Sequence, residues 1–444
     1  MKRLLVKLTP KAIGRKIKVC GWINSRRDHG KLIFINLRDR SGILQVVFRL
    51  ADSNQQLATI SQKLRPEWVV CIEGEVKERP KGAENPEVET GKIEIIAEKL
   101  EILAMVKKEM PLDLSKKELK MKLSTLLKER VLTLRHEKSR AIFRVFETVL
   151  GAYRKVMKKL DFVEIKTPKI IGTASEGGAN FFTFDYFGKK AFLAQSPQFY
   201  KQIGVGMFER VFEIGPVFRK EPHFTTRHLN EYISLDAEMG FIENFNEIMD
   251  ELEKVIKFIL KSIWKENKKD LKLFSAEPPK IPKRIPRIKL REIRKIIKEK
   301  YQYEIPEDSD IDPKGEELAG KWAREKWKSD LVFLTHYPKS CRPFYTMPDK
   351  ENPEETLSFD LLFKGVEIAT GSQRIHKAEE LIKNIKEFKL DPKDFKFYID
   401  TFKYGMPPHG GWALGCERIV YKILNLPTIK EATLFPRDVK RLVP

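Results

Sequence analysis

The sequence predicts an α+β chain made of two unlike folds: a small β-barrel, then a larger domain built on an antiparallel sheet with helices. Three observations point there. The first 105 residues carry only short β-prone runs separated by turn residues. From residue 140 to the end, helical stretches alternate with strands in an order that favours antiparallel neighbours over a doubly wound parallel sheet. Between the two, residues 106–139 turn basic and helix-prone. A length of 444 residues allows two or three domains.

In the first domain, residues 19–23, 32–37, 43–48, 69–74 and 93–96 read as strands. Asp39-Arg40-Ser41-Gly42 is a turn, and Asn85-Pro86 with Thr90-Gly91-Lys92 brackets a hairpin. Five short strands in about 100 residues suit a closed barrel, and the OB-fold is the commonest nucleic-acid-binding form of it. The connector, with Lys107, Lys108, Lys116, Lys117, Lys120, Lys122, Lys128 and Arg130, reads as a hinge followed by a helix. Its charge suits either a solvated face or a face for RNA. In the third part, 141–160, 246–264, 290–300 and 378–388 read as helices, and 210–214, 234–240, 331–334 and 357–363 as strands. The Pro- and Lys-rich piece 278–287 is a surface connector, and no internal repeat is evident.

Composition narrows the function classes. Hydrophobic residues make up 41%, with 28 Phe and 6 Trp, enough for packed cores and against disorder. No apolar run approaches the ~18 residues of a membrane span, and Lys7 and Lys11 interrupt the leading apolar run too early for a secretion signal. Lys and Arg exceed Asp and Glu by 85 to 63, a net charge of +22 that suits a polyanionic partner. Cys20, Cys71, Cys341 and Cys416 are scattered without a CxxC pair. That predicts neither disulfides nor a zinc knuckle, and a reducing cytoplasm.

The phosphate-loop and dinucleotide fingerprints are absent, since Gly204-Val205-Gly206 lacks a third glycine. Two other clusters carry the chemistry. One is Phe218-Arg219-Lys220-Glu221, followed by His228, Tyr232, Asp236 and Glu238; the other is Gly410-Gly411-Trp412-Ala413-Leu414-Gly415-Cys416-Glu417-Arg418. Arginines on two elements plus an aromatic ring suit a bent nucleoside triphosphate. One guanidinium takes the α-phosphate and the other stacks on the base. Taken singly, each residue has a plainer reading. Arg219 or Arg418 could be a structural ion-pair partner, His228 a hydrogen-bonded structural histidine, Tyr232 a core aromatic, and Asp360 with Glu367 a solvated pair.

Together these residues resemble motif 2 (211–241) and motif 3 (405–424) of the class II aminoacyl-tRNA synthetases, with motif 1 (149–168) ending at Pro168. Gly21-Trp22-Ile23-Asn24-Ser25-Arg26-Arg27-Asp28 resembles the anticodon-binding domain of subclass IIb. Gln195-Ser196-Pro197-Gln198-Phe199-Tyr200-Lys201-Gln202 and Gly371-Ser372-Gln373-Arg374-Ile375-His376 resemble the amino-acid-binding segments of its aspartyl branch. Tyr404-Gly405-Met406-Pro407-Pro408-His409 and Leu434-Phe435-Pro436-Arg437-Asp438 are similar to the archaeal and eukaryotic type. The chain between motifs 2 and 3 is too short for the large bacterial insertion. By contrast, Ser25-Arg26-Arg27-Asp28-His29-Gly30 and Arg79-Pro80 look closer to bacterial anticodon domains.

The resemblance implies an OB-fold anticodon-binding domain (1–105), a hinge (106–139) and a class II catalytic domain (140–444) that joins aspartate to tRNA in the cytoplasm. It implies ATP as substrate, Mg²⁺, tRNA-Asp and by extension tRNA-Asn as partners, and a homodimer through motif 1. Arg219 and Arg418 would be catalytic. Glu221, Arg227, His228, Leu229, Tyr232, Glu367 and Gly415 would complete the ATP site, and Asp360, Glu367 and Thr370 would hold the metal. Aspartate would meet Glu176, Gln198, Lys201, Asp236, Thr370 and Arg374, under a closing loop at Ser175-Glu176-Gly177-Gly178. Lys201 and Arg374 would grip the β-carboxylate, a pairing wrong for a neutral amide. Arg26, His29, Phe34 and Gln45 would read the anticodon, although Phe34 also suits a barrel core. The sequence departs from the family at Thr370, where serine is usual, and at Ala413, which interrupts the glycine spacing of motif 3. Three other readings compete. An asparaginyl enzyme would lack Lys201 and carry Glu for Asp236, and an asparagine synthetase would lack the barrel. A non-catalytic RNA-binding paralogue would lose Arg219, Glu367 or Arg418.

Overall fold

Buried residues alternate with less covered ones along Lys16–Ile23 and Leu32–Leu37, the first strands of the computed structural model, which describes residues 1–50, 54–173, 181–222 and 225–443. The chain divides into two compact units, Met1–Met121 and Lys122–Pro444. In the first, β1 (Lys16–Asp28), β2 (Leu32–Asp39), β3 (Gly42–Arg49), β4 (Val69–Glu78) and β5 (Ile93–Ala104) form a closed barrel in the order β1-β2-β3-β5-β4. Along β2, Ile33, Ile35 and Leu37 are buried while Phe34 and Asn36 are only partly covered, so Phe34 lies outside the barrel core. Gly21 is required by a close approach, because a Cβ there would lie 2.3 Å from the Arg38 carbonyl oxygen.

The cysteine expectation is overturned here. Cys20 and Cys71 form a disulfide, leaving Cys341 and Cys416 free. Barrel closure pairs β1 antiparallel with β4 and sets these two residues directly opposite one another, with Cα atoms 4.0 Å apart. Sequence spacing hides that adjacency, since only the register of two distant strands creates it.

The second unit is α+β. Its main sheet has eight strands: β6 (Val163–Glu164), β10 (Arg210–Phe218), β11 (Glu231–Gly240), β12 (Arg287–Lys289), β13 (Leu331–Thr335), β14 (Ser358–Phe363), β15 (Val366–Gln373) and β16 (His409–Gly415). The order is β12-β13-β14-β15-β16-β11-β10-β6, antiparallel except at the two outermost pairs. A second, three-stranded sheet is made by β7 (Ile170–Ile171), β8 (Thr183–Tyr186) and β9 (Lys189–Leu193). The helices Glu137–Lys159 and Asn246–Glu266 bury their apolar stripes on one face of the main sheet, against Leu235, Ala237, Phe359, Leu361, Ala369 and Leu414. The helices Leu290–Tyr301 and Pro313–Trp327 build a separate cluster over β13 at the sheet's edge. Among the described residues, no helix is long and apolar enough to cross a membrane.

Candidate active site

Because strand side chains alternate, the residues between those core positions all face the other side of the sheet. There they are polar or very small. Strand register lines them up in two rows: Asp360, Thr370, Ala413 and Asp236 in one, Ser358, Ser372, Gly411 and Glu238 in the next. A cleft of about 600 Å³ opens over them. The small residues make room for the carboxylates. A Cβ on Gly411 would come within 2.3 Å of Glu238 Oε2 and 2.1 Å of the Ala237 carbonyl oxygen.

One end of the cleft is an ionic cage. The helix Gln198–Phe208 drives Lys201 into it, where the side chain is 1% exposed. Its ammonium donates to Asp236 Oδ1 at 3.0 Å and to the Trp412 carbonyl at 3.0 Å, and lies 3.5 Å from Glu238 Oε2. Arg374 donates from Nε to Glu238 Oε1 at 2.8 Å and also contacts the Ser372 hydroxyl. Burial pushes the Glu238 carboxyl up, but Arg374 and Lys201 hold it below its ordinary value. Gln198, which lines the cleft, is oriented by a relay: it donates to Gln202 Oε1, which also accepts from the Tyr398 hydroxyl, while Gln202 Nε2 donates to His409. Burial lowers His409 to about 4, and its Nδ1 donates to the Pro407 carbonyl, leaving Nε2 as the acceptor.

At the other end lie the arginines of both clusters. The Arg219 guanidinium sits 5.9 Å from the centre of the Tyr232 ring, and Glu221 follows on the same cleft wall. Arg418, on the first turn of the helix Cys416–Ile423, donates to the Glu367 carbonyl at 2.8 Å and pairs with its carboxylate at 3.0 Å. That partner holds Glu367 below its ordinary value despite burial. Gly415, opposite Ser234 in the ladder, immediately precedes this helix, and a Cβ there would lie 3.6 Å from the Arg418 side chain. His228 shares a 2.7 Å hydrogen bond with Thr225, and burial lowers its pKa. Leu229 is buried. Arg227 reaches Glu316, 2.5 Å away on the helix Pro313–Trp327. Glu316 also accepts from the Glu367 backbone N–H at 2.7 Å, and burial with the nearby Glu367 pushes its carboxyl up to about 7. Sequence reasoning missed Glu316. Glu176 and its loop lie outside the described residues.

Asp360, Thr370 and Glu367 share the cleft, as a cation site would need. Among the described residues Asp360 Oδ1 is buried without a hydrogen-bond partner, near the Tyr337 hydroxyl. No three His, Cys, Asp or Glu among the described residues form a metal cage. Hard oxygens with one unsatisfied atom suit a magnesium ion that completes its shell with phosphate and water. The sequence reading also missed the neighbour of these residues: Arg342 donates to Asp360 Oδ2 at 2.7 Å and to Thr370 Oγ1 at 3.1 Å.

On the outside of the barrel, Phe34, Gln45 and His29 come together. His29 meets the Phe34 ring edge-on at 5.5 Å, and Gln45 bonds Arg27 at 2.9 Å and Glu94 at 2.8 Å. Arg27 lies opposite Phe34 in the ladder, its guanidinium 5.7 Å from the ring, whereas Arg26 faces Asp28 and the Gln62 carbonyl. A bulge at residues 23–25 shifts the register and puts Arg27, rather than Arg26, on the Phe34 face.

Residues 122–439 match the family model for tRNA synthetases class II (D, K and N), and residues 17–103 match the OB-fold nucleic acid binding domain. The chain is 44% identical to the Aspartate–tRNA(Asp/Asn) ligase of Aeropyrum pernix, over 97% of this chain and 96% of that one. It is also 44% identical to the Aspartate–tRNA(Asp) ligase of Pyrococcus horikoshii, over 98% of each. Among solved structures it is similar to the asparaginyl-tRNA synthetase of Pyrococcus horikoshii complexed with asparaginyl-adenylate, with a TM-score of 0.92, 30% identity and full coverage of both chains. A two-row polar cleft on an antiparallel sheet, preceded by an OB-fold and matched end to end by such relatives, leaves one conclusion: the chain belongs to the class II tRNA synthetases of the aspartate, lysine and asparagine group.

Proposed function

We propose that this chain is an aspartate–tRNA ligase: it activates L-aspartate with ATP and transfers the aspartyl group to tRNA-Asp. The observation that carries the reading is the cage of Lys201, Arg374, Asp236 and Glu238. The weak 3.5 Å contact of Lys201 with Glu238, and the guanidinium N–H groups of Arg374 beyond those bonded to Glu238 and Ser372, are donors that a substrate β-carboxylate can take over. Asp236 and Glu238 keep both cations in place when substrate is absent. An amide would place its own N–H₂ or a weaker carbonyl acceptor against two buried cations. The relatives named for aspartate, at 40–44% identity, support the same choice over an asparaginyl enzyme.

In the first step, an α-carboxylate oxygen of aspartate attacks the α-phosphorus of ATP in line. The new O–P bond forms as the bond to the bridging oxygen breaks, and pyrophosphate leaves. Arg219 neutralises charge on the α-phosphate, Tyr232 and Arg418 flank the base, and Glu221, Arg227, His228, Leu229 and Gly415 shape the rest of the nucleotide site. Asp360 and Glu367, with the Thr370 hydroxyl, would hold Mg²⁺, which supplies charge neutralisation on the phosphates when bound. In the second step, the terminal ribose hydroxyl of tRNA attacks the aspartyl carbonyl carbon, and AMP leaves, with the hydroxyl proton passing to the departing phosphate. Gln198 and Thr370 position the amino acid beside the cage.

On the barrel, Phe34 is a stacking platform for an anticodon base, with Gln45, Arg27 and His29 beside it for base edges and Arg26 at the strand end. His29 against Phe34 supports a second charging target, tRNA-Asn. Dimerisation through motif 1 is supported by β6, an outermost strand of the main sheet with Val163 exposed, and by exposed Pro168 and Ile170 just after it. The reaction belongs in the cytoplasm, with tRNA and ATP. Charging of tRNA-Asp and tRNA-Asn transcripts with labelled aspartate tests the whole reading. Aspartyl-tRNA-Asp is the expected product, and comparable rates on both transcripts support the wider range. Failure to charge tRNA-Asp with any amino acid would sink the proposal.

A further inference from the structure

Arg342 belongs to none of the three motifs, yet it holds the centre of the cation end of the cleft. It follows the short 3-10 turn Lys339–Cys341 between β13 and β14. Its guanidinium spans two neighbouring strands at positions directly opposite in register, donating to Asp360 Oδ2 at 2.7 Å and to Thr370 Oγ1 at 3.1 Å. The plane lies over the Tyr337 ring with 3.7 Å to its centre, and the side chain is 10% exposed. Asp310, from the loop before the helix Pro313–Trp327, supplies a second negative charge nearby. The position is thus built: a floor of aromatic carbon, two oxygen acceptors ahead, and carboxylates on two sides.

A guanidinium there and a divalent ion on the same oxygens exclude one another. Oxygen ligands must approach magnesium to about 2.1 Å, and an ion that close to Asp360 Oδ2 would stand against a positive charge already 2.7 Å from that atom. We propose that Arg342 is a tethered cation that competes with the divalent ion for Asp360 and Thr370. In the free enzyme it keeps the buried carboxylate paired. Arriving phosphates, which are acceptors for the same guanidinium, draw it off Asp360 and open that oxygen to metal. Metal loading is thereby tied to nucleotide arrival, and Arg342 is a positioning residue rather than a catalytic one.

The inference rests on the reading of Asp360 as a metal ligand, and its test separates the two. Mn²⁺ binding to the whole 444-residue chain is measured by electron paramagnetic resonance of the free ion, without nucleotide or amino acid. The wild type should bind weakly, and Arg342→Ala at least tenfold more tightly. The double variant R342A/D360N should lose that gain. Arg342→Lys keeps a charge but cannot bridge both strands, so it should fall between wild type and R342A; it carries the test should R342A not fold. R342A or R342K binding Mn²⁺ no more tightly than wild type would overturn the competition. A gain in R342A that survives D360N would overturn it too, and the assignment of Asp360 with it.

Discussion

Replacing Lys201 by Met keeps most of the side-chain volume and removes the charge at the heart of the ionic cage. Two effects follow, and the structure separates them. For stability, breaking a buried ion pair costs about 3–5 kcal/mol when the remaining charge has no other partner. Here Glu238 keeps Arg374 at 2.8 Å and Asp236 keeps the Ser234 hydroxyl, so the loss should sit near the lower end, about 3 kcal/mol. For function, one charge-assisted contact to the β-carboxylate disappears, worth about 1.5–3 kcal/mol, which raises the KM for aspartate about 10- to 150-fold. The KM for ATP should barely move, because Arg219 and Arg418 lie at the other end of the cleft, outside the cage. Aspartate and ATP titrations in pyrophosphate exchange, run beside a thermal melt, read all three quantities. A folded K201M protein with an unchanged aspartate KM would refute the assignment of the cage to the β-carboxylate.

Three further perturbations test other parts of the molecule. Glu316 carries a carboxyl raised from 4.5 to about 7, so between those values only the folded chain holds the proton. Stability should therefore fall as pH rises from about 4.5 to about 7, by at most ~3 kcal/mol, and Glu316→Gln should flatten that part of a denaturant-measured stability curve; an unchanged slope would remove Glu316 as its source. Phe34→Ala should raise the KM for tRNA by the ~1–3 kcal/mol of one base stack while leaving aspartate-dependent pyrophosphate exchange untouched; a tRNA KM within twofold of wild type would place the anticodon contact elsewhere. The Cys20–Cys71 bond closes a sequence separation of 51 residues, and the loss of that constraint costs at most ~4 kcal/mol. Calorimetry of Cys20→Ser, or of the wild type in reductant, should show a lower barrel transition, and identical melts would mean the bond adds nothing to stability.

Local patterns in the sequence made some of this visible and long-range register hid the rest. The barrel strands and the polar series Tyr232, Asp236, Glu238 could be read because a period of two puts one face of a strand on display. Lys201 and Arg374 could be read because the short segments that carry them, residues 195–202 and 371–376, resemble the amino-acid-binding segments of the aspartyl branch, and two cations there suit a carboxylate. The contacts that organise them depend on which strand lies beside which. Asp360 meets Thr370 through a hairpin whose bulge at Leu361 and Leu362 also turns Glu367 toward Arg418. Arg342 comes from an irregular segment with no periodicity, and Arg227 finds Glu316 across 89 residues. The disulfide is the same lesson in the barrel. Cys20 and Cys71 look unrelated until β1 closes on β4. Arg27 replaces Arg26 beside Phe34 because one bulge inverts which side chains face outward.

The central claim is that the cage reads a carboxylate. Amino-acid-dependent ATP–pyrophosphate exchange, with aspartate and asparagine side by side on the intact chain, tests it most directly. Exchange with aspartate is expected, and a rate with asparagine lower by at least 10²-fold, about 2.7 kcal/mol of discrimination. Equal exchange with the two, or a preference for asparagine, would contradict it.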